Sequence, residues 1–392
     1  MSLDLRAHFS IFRAAAPGRI HLAAHSHHYW PDVAVHAHGA AAVDAARLAD
    51  RKWDPIFETL IPKLQRKIAH VLSLPDPATV AFAPNTHEFV CRLLSALPLG
   101  RPARVLTTDA EFHSFQRQIA RLEEDGLVVV HRVVAEPAAD FPARFAAEAA
   151  RDVDLVFVSQ VFFNSGASAG DLDALVTGVA SPDALVVIDG YHGFMAVPTD
   201  LSHVAARAFY LAGGYKYAMA GEGACFMHCP PAFAPRPRDT GWYAAMGSLS
   251  DASHQQVAYA ANGSRFLGAT FDPSGLYRMT AVFDWMDRIG LTVDAIHAHA
   301  VRLQSLFLEA VQRAHIAPFL EATLITPLDA DHTHGNFLAF ESREAKAIHD
   351  RLAAANIVTD VRGSRLRVGF GCYHAADEIP EIVAVIRRAL EG

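Results

Sequence analysis

Short apolar runs alternate with stretches of helical character over the first 230 residues of the chain. The runs are rich in β-branched and aromatic residues and cover positions 79–83, 105–108, 127–130, 154–159, 184–188, 208–211 and 224–228. Strands that need no polar face and are separated by helices are typical of a mostly parallel sheet covered on both sides. The pattern therefore predicts an α/β fold with a sheet of the seven-stranded type.

The hydrophobic pattern changes after residue 232. Residues 232–275 are rich in loop-forming residues, and two helices are predicted at about 275–289 and 292–314. The tail then predicts a small α+β domain, with strands near 322–327, 335–341 and 364–370 and helices near 342–355 and 376–391. A chain of 392 residues exceeds the usual size of a single core. We predict an N-terminal arm and substrate loop over 1–40, a large domain over 41–275 and a small C-terminal domain over 276–392.

Composition and charge narrow the class of protein. Charged residues make up 19% of the chain and the formal net charge is −8, so nothing favours binding to nucleic acid or to an anionic membrane surface. The apolar runs are too short to span a bilayer, and no secretory signal is evident. Four cysteines do not form a disulfide framework in a chain of this length, which favours a cytoplasmic location.

Polar and aromatic side chains follow the ends of several predicted strands. They are Thr86, Phe112, Asn164, Asp189, His192 and Lys216. In parallel α/β sheets the ligand binds at the carboxyl ends of the strands. We therefore expect these side chains to lie close together around one ligand.

Two of these segments have alternative interpretations. Asn85 or Thr86 is a natural helix cap, and the free N–H groups of that helix can bind a phosphate, although this segment by itself favours an ordinary cap without ligand. Phe112 can stack on a flat ring or belong to the core.

Lys216 and Asp189 together indicate a specific chemistry. Lys216 stands between two tyrosines after one predicted strand, while Asp189 ends another strand and is followed by His192 three positions later. A lysine that forms a Schiff base and a carboxylate that pairs with a pyridine nitrogen are what pyridoxal 5'-phosphate requires. The sequence therefore predicts this cofactor.

Six of the 22 histidines fall between positions 21 and 38. Those at 25–28 can form a metal site, a loop that contacts the substrate, or a surface without a role. No neighbouring cysteine or carboxylate completes a known metal spacing, so we favour the substrate loop and predict no metal. His228 between Cys225 and Cys229 does not change this, because Cys225 belongs to an apolar strand and no second pair exists.

The ordered motifs resemble those of the class V branch of fold-type-I pyridoxal phosphate enzymes, and most of all those of kynureninase. From about residue 20 to the end, the matching segments are Asp189–His192, Tyr215–Tyr217, Gly241–Trp242, Arg265–Thr270 and Arg367–His374. The resemblance implies the fold of that family, a catalytic trio and a homodimer with shared active sites.

The resemblance also implies a role for individual residues. The catalytic residues would be Lys216, Asp189 and His192. Cofactor contacts would come from these three and from Thr86, His87, Phe112 (or His113), Tyr215, Trp242 and Thr270, with Trp242 and Thr270 reaching the site of the partner subunit. Substrate contacts would come from Arg367, which would hold the α-carboxylate, and from His25, Ser26, His27 and Asn164.

Departures from the kynureninase motifs concern the substrate. Ala24–His28 replaces the N-terminal motif Gly-Asn-Ser-Leu-Gly, and His374 replaces an asparagine. We therefore expect hydrolase or lyase chemistry at Cβ of a small α-amino acid other than kynurenine, with transamination as the alternative. A cysteine desulfurase is disfavoured because Cys372 follows Arg367 instead of preceding it. The intact pair of Lys216 and Asp189 argues against a scaffold without turnover.

Overall fold

The computed structural model describes residues 3–246, 256–328 and 333–391, and these residues form three sheets and thirteen α-helices. The strands are β1 Ile20–His21, β2 Val80–Ala83, β3 Ala103–Thr108, β4 Val128–Val133, β5 Leu155–Ser159, β6 Leu185–Asp189, β7 Ala208–Gly213, β8 Cys225–His228, β9 Thr323–Leu324, β10 Phe337–Glu341, β11 Ile357–Val358, β12 Asp360–Arg362 and β13 Arg365–Gly369. The α-helices are α1 Ser10–Ala15, α2 Asp32–Leu48, α3 Trp53–Pro55, α4 Ile61–Val71, α5 Thr86–Ser95, α6 His113–Glu124, α7 Phe141–Ala149, α8 Leu172–Thr177, α9 Ser274–Ile289, α10 Val293–Ala314, α11 Ala317–Leu320, α12 Ala345–Ala354 and α13 Ile379–Glu391.

The larger sheet has seven strands in the order β2-β8-β7-β6-β5-β3-β4. β8 runs antiparallel to both of its neighbours, and the pairs from β7 to β4 are parallel. Its central strands β5 and β7 are buried along their whole length, as expected for a sheet with helices on both faces. The predicted α/β fold with a mostly parallel sheet is confirmed.

Local sequence explains where the helices beside this sheet begin. The Asn85 side chain accepts the Glu88 backbone N–H at 3.1 Å and so caps α5 directly after β2. α6 begins at His113, five residues after β3 ends. Both helix N-termini therefore face the edge of the sheet at which the parallel strands end.

The smaller, four-stranded sheet is antiparallel, with the order β12-β13-β10-β9. It packs with helices α10, α12 and α13 around a separate apolar cluster that includes Leu303, Phe340 and Ile386. The tail was predicted to be α+β, although β9 is much shorter than the predicted strand near 322–327. The exact boundaries of the three predicted domains stay a prediction.

The beginning of the chain is joined to its end. β1 pairs in parallel with β11, and Ala23 forms a bridge to Gly369 at the end of β13. The sequence pattern did not predict β1, β11 or β12 because strands of two or three residues carry too little periodicity. This pairing places the histidine loop at 25–28 beside the smaller sheet.

Among the described residues, none of the helices combines the length and apolar character needed to cross a bilayer.

Candidate active site

A cavity of about 440 Å³ lies at the carboxyl edge of the parallel strands. Its walls come from the segments that follow β2, β3, β5, β6 and β7, and they include Asn85, Thr86, His87, Phe112, Ser159, Phe163, Asp189, Tyr191, His192, Tyr215 and Lys216. The structure therefore brings together most of the predicted cofactor residues.

Lys216 is the only buried lysine of the five in the chain, all of which lie in the described ranges. Its Nζ is 2.5 Å from His192 Nε2 and 5.0 Å from the ring centre of Tyr191. Burial lowers the pKa of Lys216 well below its ordinary value, and the nearby Arg367 charge acts in the same direction. A buried amine without its proton is a nucleophile and a base.

Asp189 is the last residue of β6 and faces the same cavity. Its Oδ1 accepts the Tyr191 backbone N–H at 2.9 Å, and burial raises the pKa of the carboxyl. A cationic ring nitrogen placed beside it would lower that pKa again and hold the carboxylate in its charged form.

The aromatic ring of Tyr191 packs closely against Gly213, three residues before Lys216. A Cβ at Gly213 would overlap the Tyr191 hydroxyl and lie 2.6 Å from Cys225 Sγ. The aromatic ring can therefore lie against the end of β7 only because residue 213 has no side chain. This contact places Tyr191 beside the loop that carries Lys216.

Glu111 is a further buried carboxyl that sequence reasoning missed. It is 0% exposed and accepts hydrogen bonds from the hydroxyls of Thr108 and Ser159, at 2.7 and 2.6 Å. Burial raises the pKa of Glu111 to about 7, although both hydroxyls lower it. Glu111 lies three residues after the end of β3, and this position was the available signal. The interpretation of the segment considered only the neighbouring Phe112.

The residues that line the cavity match the functional groups of pyridoxal phosphate. Asn85, Thr86 and His87 lie at the N-terminus of α5, where free backbone N–H groups bind phosphate. Asp189 offers a carboxylate for a pyridine nitrogen, and Lys216 offers an amine for an aldehyde. Aromatic side chains, including Phe112, form much of the wall between them.

Arg367 does not line this cavity. It is 2% exposed, forms a buried ion pair with Asp360 and donates to the Phe163 carbonyl oxygen. Its guanidinium also lies 5.9 Å from the ring centre of Phe163, which is itself a cavity wall. Its predicted contact with a substrate carboxylate stays a prediction.

The histidine loop divides into different environments. His25 is fully buried and stacks on Phe337 with 4.5 Å between ring centres, whereas Ser26 is half-exposed and its hydroxyl lies 3.3 Å from Nδ1 of its neighbour His27. His27 is exposed and stacks on Tyr215 at 4.8 Å. His28 is buried, and its two ring nitrogens bond the Tyr29 carbonyl and the Cys372 N–H. His28 therefore has a structural role, a distinction that the sequence did not provide.

Like Arg367, His25, Ser26 and His27, four further predicted contact residues do not line the cavity. His113 packs edge-on against Phe163 with ring centres 5.3 Å apart, and the Asn164 carbonyl accepts a hydrogen bond from Arg365 at 3.5 Å. Trp242 is 52% exposed, and Thr270 lines a separate cavity of about 190 Å³. Their predicted roles, including the reach of Trp242 and Thr270 into a partner subunit, stay predictions.

None of the four cysteines lines the cavity, and all four lie in the described ranges. Cys225, Cys229 and Cys372 are buried, and burial raises the pKa of the Cys372 thiol to about 12. Cys91 is half-buried on α5, with its Sγ 3.6 Å from His87 Nε2. Within the described residues, no group of three or more His, Cys, Asp or Glu side chains is placed to hold a metal ion.

The fold and the site define a pyridoxal phosphate-dependent enzyme. Residues 56–381 match the model of the aminotransferase class-V family, and the chain belongs to that family.

Related proteins agree with this class. A probable cysteine desulfurase of Vibrio cholerae serotype O1 is 23% identical over 227 residues, which is 56% of this chain and about half (54%) of that protein. Two solved structures share the fold. A cysteine desulfurase from Thermococcus onnurineus NA1 has a TM-score of 0.79 at 15% identity and covers 100% of this chain and 99% of its own. The cystine C-S lyase C-DES, in complex with its product cysteine persulfide, has a TM-score of 0.80 at 16% identity, with 95% and 98% covered.

Proposed function

We propose that this enzyme cleaves the bond between Cβ and a sulfur substituent of a small L-amino acid by elimination. The observation that carries the proposal is the single buried lysine, 2.5 Å from His192, in a cavity that no cysteine lines. The sulfur chemistry is suggested by the names of the relatives above, which are desulfurases and a C-S lyase.

Lys216 is the proposed base. Bound pyridoxal phosphate supplies an electron sink for negative charge at the substrate Cα. Lys216 Nζ, held neutral by burial, accepts the Cα proton, and the Cβ–S bond breaks with its electron pair leaving on sulfur. After hydrolysis the products are pyruvate, ammonia and the sulfur leaving group.

His192 and Asp189 assist in different ways. Because His192 Nε2 lies 2.5 Å from Lys216 Nζ, it orients the amine and can exchange a proton with it. Burial lowers the pKa of His192 well below its ordinary value, so its imidazole stays neutral. Asp189 holds the cofactor ring nitrogen in its protonated form through its carboxylate.

The placement of the thiols supports elimination over transfer of sulfur to the enzyme. Conversion of cysteine to alanine leaves the sulfur atom oxidised, so an acceptor thiol must take it up. Cys372 is buried, its pKa is raised to about 12, and it does not line the cavity. Thiolates, not thiols, are the nucleophiles in such steps. Elimination requires no acceptor.

Product analysis of the holoenzyme tests the proposal. L-Cysteine, L-cystine and S-methyl-L-cysteine are supplied separately, and pyruvate, alanine and sulfur products are quantified. We expect pyruvate and a thiol, sulfide or persulfide in equal amounts, and unchanged rates in Cys91→Ser. Alanine with one enzyme-bound sulfane sulfur per turnover would contradict the proposal.

A kynureninase-like hydrolysis of a Cβ–Cγ bond is the second candidate, because it also needs no enzyme thiol and the segment Arg265–Thr270 resembles that family's motif. It would release alanine and a carboxylic acid from a β-acyl alanine. Transamination, which would convert the bound cofactor to its amine form, gains no support from the relatives above.

The proposal includes a homodimer in which Trp242 and Thr270 contact the partner's cofactor. Trp242 exposes 52% of its surface in the single chain, unusually much for a large aromatic residue. Sedimentation of the holoenzyme should give twice the chain mass, and Trp242→Ala should weaken dimerisation. A monomer with full cofactor content would contradict this part of the proposal.

A further inference from the structure

Four buried polar atoms near Lys216 have no hydrogen-bond partner in the described structure. They are His25 Nδ1, His25 Nε2, Arg362 Nε and Arg367 Nε. Phe337 connects this cluster to the reacting lysine. Its ring centre lies 4.5 Å from that of His25, 5.4 Å from the Arg367 guanidinium and 5.4 Å from that of His192, whose Nε2 is 2.5 Å from Lys216 Nζ. Because folded proteins pair nearly all of their buried polar groups, this cluster beside the reacting lysine points to a polar ligand that supplies the missing partners.

The imidazole of His25 makes no hydrogen bond within the described residues, although its Nε2 lies 3.9 Å from Asp360 Oδ2. It stacks on Phe337 with ring centres 4.5 Å apart and planes 21° apart. On another side it fills the space left by Gly369, where an added Cβ would overlap His25 Nδ1. Burial lowers the pKa of His25 well below its ordinary value, so the ring is neutral and offers one donor and one acceptor.

The charged side chains near the His25 ring have a net charge of +1. Asp360 forms ion pairs with Arg367 and with Arg362, the latter at 3.3 Å. Two guanidinium groups and one carboxylate therefore sum to +1, which the α-carboxylate of an amino acid would balance. A second anionic group on the substrate would be buried without a partner charge, which is unfavourable.

We propose that the site selects amino acids whose β-substituent is uncharged and forms hydrogen bonds, and that His25 contacts this substituent. Asp360 neutralises one of the two arginine charges, so the site accepts only one anionic group of the substrate. His25 is thus a specificity-determining residue, and Asp360 acts through the two arginines. The inference rests on the proposed function, in which Lys216 carries the cofactor, and on the predicted contact of Arg367 with the α-carboxylate.

Binding of matched ligands to the holoenzyme tests this inference without relying on turnover. L-Asparagine and L-aspartate have nearly the same shape and differ in charge, and L-alanine lacks the distal group. Dissociation constants are measured by titrating the visible absorption of the bound cofactor. We expect L-asparagine to bind at least about tenfold more tightly than L-aspartate, and more tightly than L-alanine.

Variants separate the two residues. His25→Phe keeps an aromatic ring on Phe337 but cannot form hydrogen bonds, so L-asparagine should bind only as well as L-alanine. Gly369→Ala should act in the same direction by displacing the His25 ring, and Gly39→Ala is its control because an added Cβ there meets nothing within 4 Å. Asp360→Asn should shift the preference towards L-aspartate by about tenfold.

The outcomes distinguish this inference from the proposed reaction. Equal affinity of the wild type for L-asparagine and L-aspartate would overturn the inference, even if C–S cleavage is found, and would indicate that ordered water pairs the four atoms. An unchanged preference in His25→Phe would also overturn it. A clear preference for L-asparagine without any C–S cleavage would support the inference and reject the proposed reaction.

Discussion

The two halves of the site are built differently. The proposed cofactor half consists of residues at or just after the ends of strands of one sheet, such as Asp189 at the end of β6 and Lys216 three residues after β7. The proposed substrate half consists of His25, Asp360 and Arg367, which come from opposite ends of the chain and meet through the β1–β11 pairing and the Ala23–Gly369 bridge. One half therefore follows from local pattern, and the other depends on long-range packing.

This difference has a consequence for substitutions. A side chain on a strand end of the central sheet is held by a scaffold buried on both faces, so its replacement should mainly remove chemistry. A side chain of the substrate half also connects the smaller sheet to the arm. Replacements there should change substrate affinity and stability together.

The largest expected effect is in the cofactor half. Lys216→Ala should lower the rate of substrate cleavage by at least about 10³-fold, because it removes both the covalent attachment and the base. Steady-state kinetics at saturating pyridoxal phosphate measures this. Lys346→Ala, an exposed lysine paired with Asp350, is the matched control and should match the wild type. A Lys216→Ala enzyme with more than about a tenth of wild-type activity would refute the assignment.

The next effect concerns Arg367. Arg367→Lys should raise KM by about 10- to 100-fold with a smaller change in kcat, since a lysine cannot replace the planar, two-pronged donor. The variant should also unfold more easily, because Asp360 loses its buried ion pair. Kinetics and urea unfolding check the two parts. An unchanged KM would place the α-carboxylate elsewhere.

His28 should affect stability and not the cofactor. His28→Ala should lower the free energy of unfolding by about 1–3 kcal/mol, because it leaves the Cys372 N–H without its buried acceptor. The visible spectrum of the bound cofactor should not change. The exposed neighbour provides the comparison: His27→Ala should cost less than about 0.5 kcal/mol. Equal losses from both variants would contradict the structural role of His28.

The last effect is a pH dependence of stability that comes from Glu111. Burial raises its pKa from 4.5 to about 7, so the folded protein binds more protons than the unfolded chain between these values. Stability contributed by the protonated carboxyl is therefore present below pH 4.5 and decreases as the pH rises to about 7, by at most about 3 kcal/mol.

Melting curves of the apoprotein test this. Glu111→Gln should flatten the decline in Tm over that pH range, with Glu124→Gln, on the surface of α6, as control. If the Tm of Glu111→Gln declined more steeply between pH 5 and 7 than that of the wild type, the sign of the effect would be wrong. An equal change in the two proteins would show that Glu111 makes no contribution.

Much of the fold could be predicted because its signal is local. The inner strands β5 and β7 of the seven-stranded sheet are almost entirely apolar, and α5 begins at a polar cap, Asn85. The short strands β11 and β12 could not be predicted, because two or three residues form a strand only when a partner from elsewhere in the chain is present. The antiparallel direction of β8 could not be predicted from its sequence either, because the direction of a strand depends on the connection that precedes it and not on the strand's own residues.

The site shows the same limit. Lys216 and Asp189 could be identified from their neighbours in sequence. His25 stacks on Phe337 and its ring nitrogens make no hydrogen bond, whereas His28 accepts a hydrogen bond from the Cys372 backbone. This difference could not be predicted from the sequence, because it depends on residues more than 300 positions away. Glu111 was missed because its burial is created by Ser159 at the end of β5.

The assignment of Lys216 as the residue that carries pyridoxal phosphate can be tested chemically. Reduction of the holoenzyme with borohydride, followed by proteolysis and mass spectrometry of the peptides, identifies the modified lysine. We expect one pyridoxyl group per chain, located on Lys216. A pyridoxyl group on Lys52, Lys63, Lys67 or Lys346, or no modified lysine in a protein that retains its cofactor, would contradict this assignment.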